Sequence, residues 1–348
     1  MTTDATVLVT GGTGFLAGYC IAQLLGEGYH VRATVRTTTK TGQVEHTVRA
    51  AGAAVPDGAL SFVVADLTSD ADWAEAARGC DYVLHIASPF PREMPRSADE
   101  LIVPARDGML RVLRAARDGG VRRTVVTSSF AAIGYGHPAT TGAFTENDWT
   151  DVDAPGVNPY LKFKTLAERA AWDFAAREGG GMELAVVNPV GIFGPVLGPD
   201  LASSIGIVKA MLEGELPRTP RLWTSVVDVR DAADLHLRAM TSQNAAGERF
   251  IAAAGDAVSY HHIARTLRDR LGPDARRVPT RDIPSWLVQT AAPFVPAFRQ
   301  FMTNLDKVRH VDNAKARTVL DWQPRSTEDA VTATAESLLA LGLVSLTA

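Results

Sequence analysis

Tyr160 and Lys164 stand four residues apart in the run Pro159-Tyr160-Leu161-Lys162-Phe163-Lys164-Thr165. Apolar residues follow at helical spacing: Leu166, Ala167, Ala170, Ala171 and Phe174. In a helix, positions i and i+4 share a face one turn apart, so this spacing sets an ammonium beside a phenol. A free tyrosine has a pKa of ~10, too high for ready proton exchange at neutral pH. A neighbouring cation favours the phenolate and lowers that value. A phenol tuned in this way gives a proton to a carbonyl oxygen or takes one from an alcohol. About thirty residues earlier, Ser128 and Ser129 close the β-branched run Thr124–Thr127. A hydroxyl there would hydrogen-bond the same carbonyl oxygen, a donor fixed in advance where charge develops.

Such groups need elements to hold them. Ala5–Thr10 is a short apolar run followed by Gly11-Gly12-Thr13-Gly14-Phe15-Leu16-Ala17-Gly18 and a helical pattern through Leu25. Strand, glycine turn and helix together form the context of a dinucleotide-binding turn. Gly11 permits the tight turn, Gly14 lets the backbone approach a pyrophosphate, and the helix N-terminus faces that anion. Ala17 and Gly18 are small enough for close helix–strand packing. Further strands are expected at His30–Arg36, Leu60–Ala65, Tyr82–Ala87, Thr124–Thr127, Glu183–Val187 and Arg249–Ala252. A long amphipathic helix is expected from about Asp99 to Arg117. Strands alternating with helices predict an α/β fold, a doubly wound parallel sheet of Rossmann type. His85, inside an apolar strand, reads as a core residue. Asp231 reads as the N-cap of a late helix.

The second strand separates two cofactors. An NAD site carries Asp or Glu near its end to hold the ribose hydroxyls, yet no acid occurs from 29 to 44. Arg32 and Arg36 fall on one side of the strand because side chains alternate. Two guanidinium groups suit a 2′-phosphate, which predicts NADP(H). Asp66, at the third strand's end, would accept from the adenine amino group or cap a helix, with Leu67 against the ring.

The totals exclude several classes. The 348 residues are 46% hydrophobic and 21% charged with net charge −4, the profile of an ordinary globular chain. No basic block suggests nucleic acid. No apolar run reaches the ~20 residues that span a bilayer, and the first residues do not read as a signal peptide. Cys20 and Cys80 offer neither a disulfide framework nor a metal spacing. No metal and a cytoplasmic location are therefore expected.

As an ordered set, these residues resemble the extended short-chain dehydrogenase/reductases over roughly 5–260. Within that family the similarity is to the dihydroflavonol, cinnamoyl-CoA and related aldehyde and ketone reductases. The carrying segments are Val9–Leu16, Val31–Arg36, Ala87–Phe90, Thr127–Ser129, Tyr160–Trp172 and Val187–Pro189. The resemblance implies a Ser–Tyr–Lys catalytic set, with Ser129 a better match than Ser128. Lys164 would also hold the nicotinamide ribose. It further implies cofactor contacts at Thr13, Phe15, Leu16, Ala87, Ser88 and Thr127, with Pro189 and Val190 near the nicotinamide carboxamide. Ser203 or Ser204 would approach the cofactor. Ala17 at the third glycine position and Phe163 between the two lysines depart from the usual pattern.

The expected division is a dinucleotide-binding core over 1–190, with 225–255 returning to it. A smaller substrate lobe would comprise 191–224 and 256–348. The loop 134–158 would border the pocket, whose wall would include Phe90, Phe130, Phe193, Leu197 and Trp223. That wall is apolar and almost uncharged, which suits a hydrophobic or aryl carbonyl substrate. The expected activity is NADPH-dependent reduction of a ketone or aldehyde, reversible to the alcohol, in a monomer or homodimer. A nucleotide-sugar epimerase or dehydratase, a 3β-hydroxysteroid-type dehydrogenase and a non-catalytic NADP-sensing regulator are the other readings.

Overall fold

The computed structural model describes residues 4–88, 99–138, 142–299 and 302–345. A seven-stranded parallel sheet lies at its centre. Its strands are β1 (Thr6–Val9), β2 (His30–Val35), β3 (Leu60–Val64), β4 (Tyr82–His85), β5 (Arg123–Thr127), β6 (Glu183–Pro189) and β10 (Arg249–Ala252). Two small pairs complete the strands. One is β7 (Gly191–Phe193) with β9 (Val226–Asp228), and the other is β8 (Trp223–Thr224) with β11 (Val258–Ser259). The helices are α1 (Phe15–Gly26), α2 (Thr41–Ala50), α3 (Trp73–Ala77), α4 (Asp99–Asp118), α5 (Pro159–Glu178), α6 (Ser203–Glu213), α7 (Val229–Thr241), α8 (Tyr260–Leu271), α9 (Ser285–Ala291), α10 (Pro296–Arg299), α11 (Ala314–Val319) and α12 (Thr327–Ala340).

Continuous apolar strands make sense in a sheet covered on both faces. In β1, Val7 and Val9 point to the α1, α2 and α7 side, while Leu8 points to the α3, α4 and α5 side. The strand order β10-β6-β5-β4-β1-β2-β3 reverses between β1 and β4. A crevice opens at such a reversal, beyond the strands' carboxyl ends. Thr10 fastens that crevice. Its hydroxyl oxygen accepts from the N–H of Ile86 and of Ala87, each at 3.0 Å. With both lone pairs taken, its proton goes to Nδ1 of His85 at 2.9 Å. His85 is therefore a core residue in the Nε2–H tautomer, held neutral by burial.

A second core belongs to the smaller lobe, where Phe193, Ile205, Val208 and Met211 meet Ile263, Leu267, Val331 and Leu338. The closing segment does not stay in that lobe. Ala316, Leu320 and the fully buried Trp322 pack with α1, α7 and Phe250 on the main sheet, and the Trp322 indole N–H donates to the Asp231 carbonyl at 3.0 Å. Asp228, not Asp231, caps α7, accepting from the Arg230 N–H at 2.9 Å. The Asp231 carboxylate instead receives the backbone N–H and guanidinium of Arg325. Among the described residues no helix is long and apolar enough to cross a membrane.

Candidate active site

The glycine turn is shaped for close approach. Gly11 has φ +70°, and a Cβ there would sit 2.9 Å from that of Ala87, so β1 and β4 meet at the crevice with no room for a side chain. Its N–H donates to the Thr34 hydroxyl at 2.9 Å. Gly14 begins α1 without a side-chain cap, and no acid occupies the helix's first turn. The N-terminal N–H groups and their dipole are thus left for an anion. Ala17 is fully buried beneath the turn. Thr13 lies inside the turn and is exposed.

Helix α5 carries the tyrosine and the lysine. The Asn158 side chain caps it by accepting from the Leu161 N–H at 3.0 Å, and Pro159 occupies the first turn. Thr165 ties the helix to the serine turn, donating to Leu161 and toward the Ala131 carbonyl. Phe163, the unusual residue between the lysines, is buried against Ala105 and Ala167 between α5 and α4. Its ring meets that of Tyr160 edge-on at 5.3 Å.

The two serines separate cleanly. The Ser128 hydroxyl donates to the carboxylate of Glu168, inside the protein. Ser129 accepts from the Ala131 N–H at 3.1 Å and is hydrogen-bonded to the Tyr160 phenol. Burial pushes that phenol above its ordinary value, Ser129 opposes the rise and Tyr135 adds to it. The expectation that the Lys164 ammonium makes Tyr160 acidic is therefore corrected: here desolvation dominates and Ser129 is the group that opposes it. Lys164 is itself enclosed, and burial lowers it to about 8 against the pull of the Glu168 carboxylate.

Glu168, one turn beyond Lys164, is the residue that sequence reasoning missed. Its carboxylate accepts from Ser128, from Asn188 Nδ2 at 2.7 Å and from Arg249 Nε at 2.6 Å. Asn188 also donates to the Ser129 carbonyl at 3.2 Å. One buried carboxylate thereby connects α5, the serine turn, β6 and β10. An ionisable residue at i+4 from the lysine in an otherwise apolar helix face was its only signal in the chain.

A cavity of about 480 Å³ opens beside these groups. Gly14, Phe15, Leu16, Thr127, Ser129, Phe130, Tyr160, Lys164, Pro189, Val190, Ser203 and Trp223 line it, so predicted cofactor, catalytic and wall positions converge on one space. Behind Lys164 a void of about 20 Å³, room for one water, is lined by His85, Ala87, Ser88 and Glu168. Ser203 and Ser204 both border the cavity, and the Ser204 hydroxyl donates to the Ile192 carbonyl. Phe193 and Leu197 are corrections. Phe193 is fully buried in the smaller lobe's core, and Leu197 packs near Gly18 of α1. Phe90 lies outside the described residues.

Arg32 is a further correction. Its Nη1 donates to the carbonyls of Ala76 at 3.0 Å and Arg78 at 2.7 Å, capping the end of α3. It sits mid-strand, level with Leu8, rather than at the crevice. Arg36 is exposed at the strand's end and helps lower the Asp66 carboxyl, after that group's own hydrogen bonds to Thr68. Asp66 closes this local turn and does not cap α3. Leu67 is buried against Gly108 of α4. Arg309, also missed, brings a charge into a wall expected to be almost uncharged.

The sequence profile described as the NAD dependent epimerase/dehydratase family matches residues 7–253. A cinnamoyl-CoA reductase of Medicago truncatula is 33% identical over 270 residues, covering 76% of this chain and 80% of the relative. A dihydroflavonol 4-reductase of Zea mays is 33% identical over 272 residues, covering 76% of this chain and 74% of its own. Among solved structures, the yeast methylglyoxal/isovaleraldehyde reductase complexed with NADPH has a TM-score of 0.78 at 25% identity, covering 97% of this chain and 99% of that one. Fold, glycine turn and sequence agree: the chain belongs to the NAD dependent epimerase/dehydratase family, the extended short-chain dehydrogenase/reductases.

Proposed function

We propose that the protein is an NADPH-dependent reductase of ketones or aldehydes, reversible toward the alcohol, with Ser129, Tyr160 and Lys164 as its catalytic set. The observation that carries this reading is the Ser129–Tyr160 hydrogen bond beside a buried Lys164, facing a cavity whose other wall is the first turn of α1. The uncapped, acid-free start of α1 and the glycine cradle fit a pyrophosphate. When bound, the cofactor supplies a hydride to the carbonyl carbon.

The chain's own residues do the rest. Tyr160 gives its phenolic proton to the carbonyl oxygen as that oxygen gains charge. Ser129 donates to the same oxygen and holds it in register. Lys164 would carry the nicotinamide ribose beside that phenol. Pro189 and Val190 bound the ring, and Ser203 approaches from α6. Arg36 receives the 2′-phosphate at the end of β2, and the division into a cofactor layer and a smaller substrate lobe is part of the same reading. The relatives' names, a cinnamoyl-CoA reductase and a dihydroflavonol 4-reductase, support an aryl carbonyl substrate, as do Phe130 and Trp223 in the wall.

A carbonyl panel followed at the nicotinamide absorbance, with NADPH and NADH in parallel, tests the proposal. NADPH consumption with at least one aryl ketone or aldehyde is expected. No consumption across the panel, or a clear NADH preference, sinks it. Replacing Arg36 by Ala should raise KM for NADPH about 10- to 100-fold, the worth of hydrogen bonds to a charged group, and leave KM for NADH unchanged.

A further inference from the structure

We propose that the substrate carries a carboxylate at the end remote from its reacting carbonyl, and that Arg309 receives it. The inference rests on the reductase reading and narrows its substrate class. Arg309 lines the cavity with Tyr135, Tyr160 and Trp223. Its Nε is held by the Gly134 carbonyl at 2.9 Å, and its guanidinium carbon lies 4.1 Å from the Tyr135 ring centroid. Those two contacts fix the plane of the group and use one of its five N–H donors. Neither Nη meets an acceptor among the described residues, and no carboxylate there acts on it: the neighbour that does is the Tyr135 phenol. This guanidinium is partly withdrawn from water, without a counter-charge among the described residues, and it borders the same cavity as the phenol.

The fork of an arginine matches a carboxylate with two parallel hydrogen bonds. A phosphate dianion at Arg309 would meet a single guanidinium, and Phe130, Val190, Trp223 and Ala257 are among the residues that line the same cavity. Tyr135, Tyr160 and Arg309 border the same cavity, and the Tyr135 phenol acts on both of the others. One substrate in that cavity of about 480 Å³ can meet both Arg309 and Tyr160. An aryl or medium-chain oxo acid suits a cavity of that size with Phe130 and Trp223 in its wall.

The test uses matched pairs with NADPH: 4-formylbenzoate against methyl 4-formylbenzoate, and 5-oxohexanoate against its methyl ester. Wild type should favour the acid by about tenfold or more in kcat/KM, through KM. Arg309→Met should abolish that preference while ester turnover stays within about threefold, and Arg309→Lys should keep part of it. Ester turnover and an unchanged melting temperature in Arg309→Met guard against simple misfolding. Calorimetry adds a readout independent of turnover: 4-methylbenzoate should bind wild type more tightly than 4-methylbenzamide. Equal use of acid and ester by wild type, or an equal loss of both in Arg309→Met, overturns the inference and leaves the reductase reading standing. Absence of any carbonyl-dependent NADPH oxidation overturns both.

Discussion

Burial lowers Lys164 to about 8, so near neutral pH the ammonium predominates by a modest margin. Catalysis that needs this charge is present below that value and lost as pH rises through it. The Glu168 carboxylate holds the pKa up. Glu168→Gln should therefore shift the alkaline limb of kcat for carbonyl reduction to lower pH, read from a pH profile at saturating cofactor. A limb that stays in place would show that Glu168 acts on packing alone. Tyr160→Phe removes the proposed proton donor while keeping the ring against Phe163. It should lower kcat by about 10²- to 10⁴-fold, the usual contribution of a positioned acid, with the melting temperature unchanged. That Tyr160 and Lys164 border one cavity was legible because positions i and i+4 share a helix face. Ser129 was legible only to within one position, since two hydroxyls side by side differ by which way each strand-end residue faces.

Between elements, the Glu168–Arg249 pair does what no backbone ladder can: it joins α5 to the edge strand β10. Arg249 Nη1 also donates to the carbonyls of Glu146 at 2.8 Å and Asp148 at 3.0 Å, and its guanidinium lies over Trp149. Arg249→Met would strand a carboxylate that is fully buried, at a cost of about 3–5 kcal/mol. Urea unfolding should show that loss, and Glu168→Gln added to Arg249→Met should recover most of it. Additive losses would mean that the pair is not coupled. Residues such as Arg249 and Arg32 are hard to read from sequence, because a strand pattern marks the face of a side chain and not the partner at its tip. Arg32 and Arg36 share a face of β2 by alternation, yet four residues of rise separate their ends, and a helix carbonyl cluster claims one of them.

For the molecule as a whole, buried histidines set an acid limit. Burial lowers His85 to about 3 and His236 to about 4. Unfolded, each would bind a proton below about 6.5. The unfolded chain then holds more protons, and stability falls as pH drops from about 6.5 toward 4, by up to about 1.4 kcal/mol per pH unit for each histidine. The His236 ring donates from Nδ1 to the Ala232 carbonyl and accepts at Nε2 from Thr127, so it is neutral when folded. In His236→Gln the slope of unfolding free energy against pH should flatten by about one such increment; an unchanged slope would refute the assignment. The sheet was readable almost strand for strand, since a layer covered on both faces writes its burial as unbroken apolar runs. The return of Trp322 to the main sheet was not, because a single large residue near the chain's end carries no period to show which core it joins.

The Arg249 clamp has an implication for the order in which the molecule can be completed. A ribosome delivers Ser128, Glu168 and Asn188 long before it delivers residue 249. Until then the Glu168 carboxylate lacks its guanidinium partner, and the loop carbonyls of Glu146 and Asp148 lack their donor. The first 190 residues contain the whole nucleotide turn and the whole tyrosine helix, yet the arginine that pairs with Glu168 lies beyond them. The buried carboxylate beside the proposed catalytic set is therefore fully partnered only once β10 has paired with β6 at the edge of the sheet.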